Sequence, residues 1–186
     1  MVYEASEDTV LLLKGVTMLA PGSTRACEIG CGSGIVTLTL TPYAERTLAT
    51  DIDVGAVAAT WSRARSSGVD DKVDVVCCDR VEAVREGFKF DLIVFNPPYL
   101  PVEGEDVSWS GGRRGIEAAM RFAESGVKRL SERGKMVFVL SSLSAWRDML
   151  RELLERGFRI GILSIEHVGL YEDLLLVVAG RRYKNV

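Results

Sequence analysis

The chain has 186 residues, of which 47% are hydrophobic and 26% are charged, and its formal net charge is −3. This length fits one domain with a single hydrophobic core, and the composition excludes a disordered or low-complexity protein. A net negative charge argues against non-specific binding to duplex DNA, which depends on a strongly basic face, and no apolar run reaches the about 18 residues of a membrane span.

Hydrophobic periodicity, with glycine and proline as breakers, divides the chain into helices and strands. The first helix begins after Ser6, which is a suitable N-cap. In chain order the pattern predicts a helix over 7–19, a strand over 25–29, a helix near 35–40, a strand over 46–50, a helix over 54–67, strands over 72–77 and 90–95, a helix over 116–130, a strand over 135–140, a helix over 146–156, and strands over 158–165 and 174–179.

Helices and strands alternate along most of the chain, and the last two strands follow each other directly. Five strand–helix alternations and a final strand pair predict an α/β fold, a Rossmann-like, seven-stranded, mostly parallel sheet of order 3-2-1-4-5-7-6 with a C-terminal antiparallel hairpin. Residues 1–186 form one domain in this prediction, with the helix in residues 1–20 capping the ligand site. The segment over residues 96–115 is longer than a simple connection requires, and such loops usually carry function.

A glycine-rich loop, Glu28-Ile-Gly30-Cys-Gly32-Ser-Gly34, follows the first strand, where doubly wound sheets bind ligands. The dinucleotide fingerprint GxGxxG is absent, because its third glycine would fall on Ile35, and the acidic Glu28 would repel a pyrophosphate. S-adenosylmethionine, which carries a sulfonium and an ammonium group but no phosphate, is a better match. The alternative is a tight turn that binds no ligand.

Acidic residues also follow the next two strands. Asp51 ends the second strand, where a carboxylate can accept hydrogen bonds from both ribose hydroxyls of a nucleoside. Asp79, after the third strand, can reach an adenine amino group by the same argument. Three carboxylates at neighbouring strand ends make a bare turn a poor explanation of the glycine loop.

The tetrapeptide Asn96-Pro97-Pro98-Tyr99 follows the fourth strand and carries the candidate catalytic residues Asn96, Pro97 and Tyr99. The Asn96 side-chain oxygen and a proline carbonyl can each accept one N–H of an –NH2 group. Two such acceptors hold a poorly nucleophilic amide or aromatic amine in line with a methyl donor and stabilise its developing positive charge. Tyr99 offers a face for stacking a planar group.

The chain has few histidine and cysteine residues that could bind a metal. His167 is the only histidine, and the cysteines at 27, 31, 77 and 78 do not have the CxxC spacing of zinc sites. We therefore predict no metal site, and we interpret the cysteines as small buried side chains at strand ends in a reducing cytoplasm, which is the expected location of the protein.

The motifs EIGCGSG at 28–34, ATDID at 49–53 and NPPY at 96–99 together resemble the HemK/PrmC group of glutamine-amide methyltransferases. Residues 3–13, YEASEDTVLLL, resemble the opening motif of its short archaeal and eukaryotic branch, although Ala5 replaces the usual proline. Residues 109–117, WSGGRRGIE, resemble the element that follows NPPY in that branch. The resemblance covers essentially the whole chain.

The resemblance implies S-adenosylmethionine as the methyl donor and, as the acceptor, the glutamine of the GGQ loop of class I release factors, which act in translation termination. It places cofactor contacts at matching positions, and Gly32 and Arg80 complete our candidate set. The candidate cofactor-binding residues are Thr9, Glu28, Gly30, Gly32, Asp51, Asp79, Arg80 and Asn96. In this branch the catalytic subunit is often paired with a small zinc-binding activator subunit.

Three alternatives remain open. NPPY also occurs in adenine N6-methyltransferases, but base flipping usually demands a basic channel, and Arg113 and Arg114 are the only basic pair in the long loop. Its acidic residues, Glu103, Glu105 and Asp106, form either a solvated face or a substrate contact. Methylation of a protein lysine would require a group that deprotonates the ammonium, and a non-catalytic cofactor-binding scaffold would not need NPPY.

The third predicted strand, residues 72–77, lies at an edge of the expected sheet. It contains three valines and no proline, so little discourages pairing with another strand. We expect the activator of the resembled family, or a second copy of the chain, to cover this edge, and the isolated monomer to be poorly soluble. The alternative is that residues 80–86 fold over the strand.

Overall fold

The computed structural model describes residues 6–101 and 111–181 of the chain. These residues form a central sheet with helices on both faces. The helices are α1 (Glu7–Leu19), α2 (Ile35–Leu40), α3 (Val54–Ser66), α4 (Glu117–Arg129) and α5 (Trp146–Glu155), and the strands are β1 (Ser23–Ile29), β2 (Ala44–Asp51), β3 (Val73–Cys77), β4 (Phe90–Phe95), β5 (Leu130–Ser141), β6 (Phe158–Val168) and β7 (Glu172–Arg181).

The seven strands are ordered β3-β2-β1-β4-β5-β7-β6, which confirms the predicted Rossmann-like sheet. The pairs from β3 to β5 are parallel, and β7 is antiparallel to both β5 and β6. Strand β4 lies between β1 and β5 near the centre of the sheet, and four of its six residues form the apolar run Leu92–Phe95. Such a run is typical of a parallel strand that is covered on both faces.

Each face of the sheet has its own hydrophobic core. Helices α1 and α2 cover one face, where Leu12 and Leu40 are buried against Val94 and Val137. Helices α4 and α5 cover the other face around Phe138. These two layers hold the carboxyl ends of β1, β2 and β4 in fixed relative positions.

Helix α1 packs unusually close to the sheet. A Cβ atom added at Gly15 would lie 2.8 Å from Val137 Cγ1 and 3.0 Å from Leu176 Cδ1. A side chain at this position would push the helix away from the strands. The glycine therefore lets α1 lie flat on β5 and β7, which brings its amino end to the carboxyl edge of the sheet.

Several predicted boundaries were wrong. Strand β5 begins at Leu130 rather than Lys135, and the hairpin strands β6 and β7 extend beyond their apolar runs. Between β3 and β4 the described chain forms turns, and no helix was predicted there. The parts of the two resembled motifs at residues 3–5 and 109–110, and the acidic residues 103–106, lie outside the described residues. Within the described ranges, no helix is long and apolar enough to cross a membrane.

Strand β3 is an edge strand, as expected. It pairs with β2 alone among the described strands, and a salt bridge of 2.7 Å joins Arg46 to Asp74 across the pair. Val84 and Phe88 belong to the segment after β3 and line a groove of about 360 Å³. Leu48, on a face of the sheet, lines the same groove. The segment after β3 covers a face of the sheet, and the outer hydrogen-bonding edge of β3 has no partner strand within residues 6–101 and 111–181.

Because the edge of β3 is open, we expect the isolated chain to self-associate in solution through this strand. Replacing Val75 with lysine should reduce that association, since an edge lysine opposes strand pairing. Ile162→Lys on β6, the opposite edge of the sheet, is the matched control and should have no such effect. Light scattering over a concentration series measures the change; a wild-type chain that stays monomeric at high concentration, and behaves like Val75→Lys, contradicts the prediction.

Candidate active site

The predicted site residues follow strand ends that are neighbours in the sheet. Ile29, the last residue of β1, is in register with Thr50 of β2 on one side and with Phe95 of β4 on the other. The residues that follow these three along the chain are Gly30, Asp51 and Asn96. The sheet therefore brings the glycine loop, the ribose-type carboxylate and the NPPY segment to one edge.

The glycine loop is fixed by backbone hydrogen bonds to β2. The N–H groups of Gly30 and Cys31 both donate to the Thr50 carbonyl, at 2.8 and 2.9 Å. At Gly34 the backbone is left-handed, with φ +79°, and an added Cβ would lie 2.9 Å from Thr60 Cα of α3. Only glycine fits there, so the loop turns sharply and opens above Gly32, where a Cβ would meet no atom within 4 Å.

The Asp51 carboxylate lies directly beside this loop. It accepts hydrogen bonds from the Gly32 N–H at 2.9 Å and from the Asp53 N–H at 3.0 Å. A carboxylate has about four acceptor positions, so two remain for a ligand. The arrangement is suited to holding two hydroxyl groups next to the glycine loop.

The end of β3 brings Asp79 and Arg80 to the same edge. Cys77 is in register with Asp51, and the Cys78 N–H donates to the Asp51 carbonyl. Asp79 is exposed and forms a 2.7 Å salt bridge with Arg80, whose Nε is buried without a partner among the described residues. Arg80 has φ +50°, a strained backbone that tends to occur where a ligand is held.

Glu28 is a buried carboxyl, 4% exposed, at the end of β1. Its Oε2 accepts a hydrogen bond from Thr37 Oγ1 on α2. Burial raises its pKa from 4.5 to about 8, although the Thr37 contacts lower it and the nearby charge of Asp51 raises it further. At neutral pH without a ligand this group is therefore mostly neutral, and its negative charge develops when a cation comes close.

This raised pKa predicts how stability depends on pH. A carboxyl whose pKa is higher in the folded than in the unfolded chain stabilises the fold fully only below the unfolded value of 4.5, and this contribution is lost as the pH rises through about 8. We expect the thermal unfolding temperature of the ligand-free chain to decrease as the pH is raised from about 5 to about 8. The unfolding temperature of Glu28→Gln should decrease less over the same range. Glu45→Gln, at an exposed glutamate, is the control; parallel pH curves for all three proteins would contradict the assignment.

The NPPY segment is held against the amino end of α1. Tyr99 OH donates to Asp8 Oδ2 at 2.9 Å, and the nearby Asn96 side chain helps to lower the pKa of the Asp8 carboxyl. Asn96 Oδ1 is buried and has no hydrogen-bond partner among the described residues. Thr9, next to Asp8, is partly buried at the same place, and Pro97 is buried.

The segment that follows the undescribed part of the loop folds back on NPPY. The Gly111 N–H donates to the Leu100 carbonyl at 2.9 Å, and a Cβ added at Gly115 would lie 2.5 Å from the Tyr99 carbonyl oxygen. Arg114, one of the two basic loop residues, forms salt bridges to Glu117 and Glu152 of α4 and α5. The segment thus supports Tyr99 from behind, and Arg114 has a structural role.

Sequence reasoning missed three residues at this site. Asp8 contacts Tyr99 and lies near Asn96, Thr37 is the partner of Glu28, and the Phe122 ring lies 3.4 Å from the position of a Cβ on Gly30. The acidic residue before Thr9 was a visible signal, but nothing local marks Thr37 or Phe122. The interpretation of the cysteines was only partly right, because Cys27 and Cys31 are buried whereas Cys77 is exposed and Cys78 is partly exposed.

Comparisons with known proteins identify relatives of the chain. The model of the methyltransferase small domain family matches residues 6–159. The chain is 35% identical to methyltransferase HEMK2 of Mus musculus, over 85% of this chain and 80% of that protein. It is 29% identical to the putative protein N5-glutamine methyltransferase of Methanocaldococcus jannaschii, over 97% of this chain and 92% of that protein.

Solved structures share the fold. The E. cuniculi Mtq2–Trm112 complex, described as responsible for methylation of the eRF1 translation termination factor, is 22% identical with a TM-score of 0.77, over 97% of this chain and 98% of that chain. A T. Thermophilus 16S rRNA N2 G1207 methyltransferase in complex with AdoMet and guanosine is 20% identical with a TM-score of 0.71, over 97% of this chain and 44% of that chain. At these identities the likeness concerns the fold alone.

Proposed function

The chain belongs to the methyltransferase small domain family and is a HemK-type methyltransferase, and from this premise we propose that it transfers a methyl group from S-adenosylmethionine to the side-chain amide of the GGQ glutamine in a class I translation release factor. One observation carries the transfer to an –NH2 group. The buried Asn96 Oδ1 has no partner among the described residues, so it is available to accept an N–H from an amide.

The chemistry of an amide acceptor fits the groups around Asn96. An amide nitrogen is a weak nucleophile because its lone pair is delocalised, so it must be held in line with the methyl group and stabilised as positive charge develops. Asn96 Oδ1 and a carbonyl of the proline pair supply two neutral acceptors for its two N–H groups. Tyr99 stacks against the planar amide, and burial together with the charge of Asp8 raises the pKa of its hydroxyl, which therefore stays protonated.

The residues at the strand ends fit S-adenosylmethionine. When bound, this cofactor supplies an activated methyl group on a sulfonium. The Asp51 carboxylate would hold the ribose hydroxyls, Asp79 and Arg80 would hold the adenine, and Gly30 and Gly32 would let the backbone approach the ligand closely. Glu28, Thr9 and Asn96 would hold the amino-acid end, and its cationic ammonium would favour the charged form of the Glu28 carboxyl.

The relatives support the proposed acceptor protein and partner. The Methanocaldococcus jannaschii relative is named as a protein N5-glutamine methyltransferase, and the E. cuniculi structure is described as acting on a termination factor in complex with Trm112. We infer that this chain also acts on a release factor in the cytoplasm. A small, zinc-binding activator subunit pairing with the open edge of β3 would complete the enzyme.

The direct test incubates the chain with methyl-labelled S-adenosylmethionine and each candidate acceptor. The acceptors are the release factor of the same organism, the same factor with the GGQ glutamine changed to alanine, and DNA with unmodified adenine. We expect label only in the unaltered release factor. Label in the alanine variant, with its position found by mass spectrometry, would indicate lysine methylation, and label in DNA would indicate adenine methylation.

A further inference from the structure

Two large apolar side chains lie at the turn between β6 and β7. Leu170 is 82% exposed and Tyr171 is 87% exposed, and these fractions are the highest among the large hydrophobic residues that the structure describes. Single apolar residues are common on protein surfaces, but turns favour small and polar residues. This adjacent leucine and tyrosine belong to neither hydrophobic core. We call the two residues the hairpin tip.

The hairpin tip lies at the same edge of the sheet as the candidate active site. Ser141, the last residue of β5, pairs with Leu174 near the beginning of β7, so the turn before β7 is at the carboxyl edge of the parallel strands. Strand β4, which Asn96 follows, is separated from β7 by β5 alone. Neighbouring strands are about 4.8 Å apart, which places β7 and β6 roughly 10 and 14 Å from β4. The hairpin tip therefore borders the active site.

The base of the hairpin is fixed to the loop after β5. The Asp173 N–H donates to Ser142 Oγ at 2.8 Å, and the Ser142 N–H donates to the Asp173 carbonyl at 2.8 Å. Ser141 Oγ also donates to Glu172 Oε1, and His167 Nδ1 lies 2.6 Å from Asp173 Oδ1. The two apolar side chains are thus carried by an anchored turn, which lowers the entropic cost of binding a partner there.

The same loop reaches the segment that supports NPPY. The Ala145 N–H donates to the Arg114 carbonyl at 2.8 Å. A Cβ added at Gly115 would lie 2.8 Å from Ser144 Cβ and 2.5 Å from the Tyr99 carbonyl oxygen. The hairpin base, the loop after β5 and the NPPY segment therefore form one continuous set of contacts.

A protein acceptor needs contacts away from the reacting amide, because a glutamine side chain is small and binding energy from remote groups helps to orient it. A standard protein interface covers about 800 Å² on each partner, which is a disc of roughly 16 Å radius. A disc of this size centred on Asn96 includes the hairpin tip. Tyrosine is also enriched in such interfaces relative to the rest of the surface.

We propose that the hairpin tip is a docking surface for the release factor, and that it receives an apolar patch next to the loop that carries the methylated glutamine. The inference rests on the proposed function, because the glutamine must reach Asn96 while the same protein contacts the tip. Leu170 and Tyr171 bind the acceptor protein and take no part in methyl transfer itself.

The charges around the hairpin tip favour a basic partner surface over a second copy of this chain. Glu172 and Asp173 follow the tip directly and give it an acidic border. Electrostatic complementarity then calls for basic residues around the apolar patch of the partner. A symmetric pairing of two hairpin tips would bring the two acidic borders together, where like charges repel.

The experiment compares the double variant Leu170→Ser, Tyr171→Ser with the matched control Met18→Ser, Leu154→Ser. Met18 and Leu154 are exposed near the carboxyl ends of α1 and α5, at the opposite edge of the sheet. Steady-state kinetics gives kcat and the KM for the release factor, and calorimetry gives the Kd values for the release factor and for S-adenosylmethionine.

In the double variant we expect the KM and the Kd for the release factor to rise roughly ten- to a hundredfold, because two anchoring side chains are lost from the interface. The kcat and the Kd for S-adenosylmethionine should stay within about twofold of wild type. The control should change none of these quantities. Tyr171→Phe, which keeps the ring and loses the hydroxyl, should stay within about threefold of wild type, because the proposed contact is apolar.

An equal affinity of wild type and the double variant for the release factor would overturn the proposal, and so would a loss of kcat with no change in KM. Thermal unfolding verifies that each variant folds, and the single variants Leu170→Ser and Tyr171→Ser give the answer if the double variant does not. Self-association in light scattering that the double variant loses, with unchanged affinity for the release factor, would assign the tip to a second copy and contradict the proposal.

The affinity measurement needs no turnover, so the two proposals fail separately. A wild-type chain that binds the release factor but methylates no glutamine contradicts the proposed function. Unchanged affinity in the double variant contradicts the role of the hairpin tip, and a wild-type chain that does not bind the release factor contradicts both.

Discussion

Asn96→Ala is expected to abolish methyl transfer and to weaken cofactor binding less than about tenfold, because the main work of Asn96 is on the acceptor nitrogen. Its Oδ1 is buried and has no partner among the described residues, so the site holds an acceptor that alanine cannot replace. Loss of an interaction that strengthens as charge develops appears in kcat rather than in ground-state affinity.

Single-turnover transfer of labelled methyl to the release factor measures the effect, and calorimetry measures S-adenosylmethionine affinity. Asn96→Gln is an informative companion, since it keeps the amide but moves its oxygen by one methylene, and it should also transfer poorly. Leu143→Ala, at an exposed residue in the loop after β5, is the control for handling and folding. Near wild-type turnover by Asn96→Ala would refute the amide-acceptor mechanism.

The parts of the fold that depend on local patterns could be predicted from the sequence. The apolar run of β4 is continuous because both faces of that strand are covered, and this continuity is visible without a structure. The alternation of strands and helices then limits the sheet to few topologies, which is why the strand order was correct. Placing Gly30, Asp51 and Asn96 at one edge followed from the same topology.

The errors in the boundaries have tertiary causes. Residues 131–134, Ser-Glu-Arg-Gly, are polar and resemble a turn, yet Leu130 pairs with Phe90 of β4, so β5 begins directly after α4. The hairpin strands β6 and β7 extend past their apolar runs because β6 is an edge strand, whose half-exposed face accepts polar residues. Pairing with a neighbouring strand determines where these strands begin and end, and the sequence of one segment alone does not show that pairing.

Two properties of the site could not be predicted from the sequence. Glu28 is a charged residue in sequence, but its burial and its Thr37 partner come from the packing of α2 on β1 and make it mostly neutral without a ligand. Asp8 looks like an ordinary acidic residue that complements the helix dipole in a first turn. Its contact with Tyr99 joins residues that are 91 positions apart in the chain.

Asp51→Ala is expected to weaken S-adenosylmethionine binding by about one to two orders of magnitude while the fold stays intact. The carboxylate lies at the end of β2 beside the glycine loop, and its hydrogen bonds to the Gly32 and Asp53 N–H groups leave room for two hydroxyl groups. Hydrogen bonds to a charged acceptor contribute about 1.5–3 kcal/mol, which corresponds to this loss of affinity. Because the site lies at the surface, water can replace the carboxylate for the two N–H groups.

Asp53→Ala is the matched control for this prediction. Asp53 is exposed and caps α3 by accepting a hydrogen bond from the Gly55 N–H. Its replacement by alanine should lower the free energy of unfolding by about 1 kcal/mol and change the cofactor affinity little. Asp51→Asn keeps one oxygen for the Gly32 N–H but loses the charge, so its affinity should lie between those of wild type and Asp51→Ala. Calorimetry on the three variants measures the affinities, and thermal unfolding verifies the fold. Unchanged affinity in a folded Asp51→Ala would remove Asp51 from the cofactor site and leave its carboxylate with the structural role of holding the Gly32 and Asp53 N–H groups.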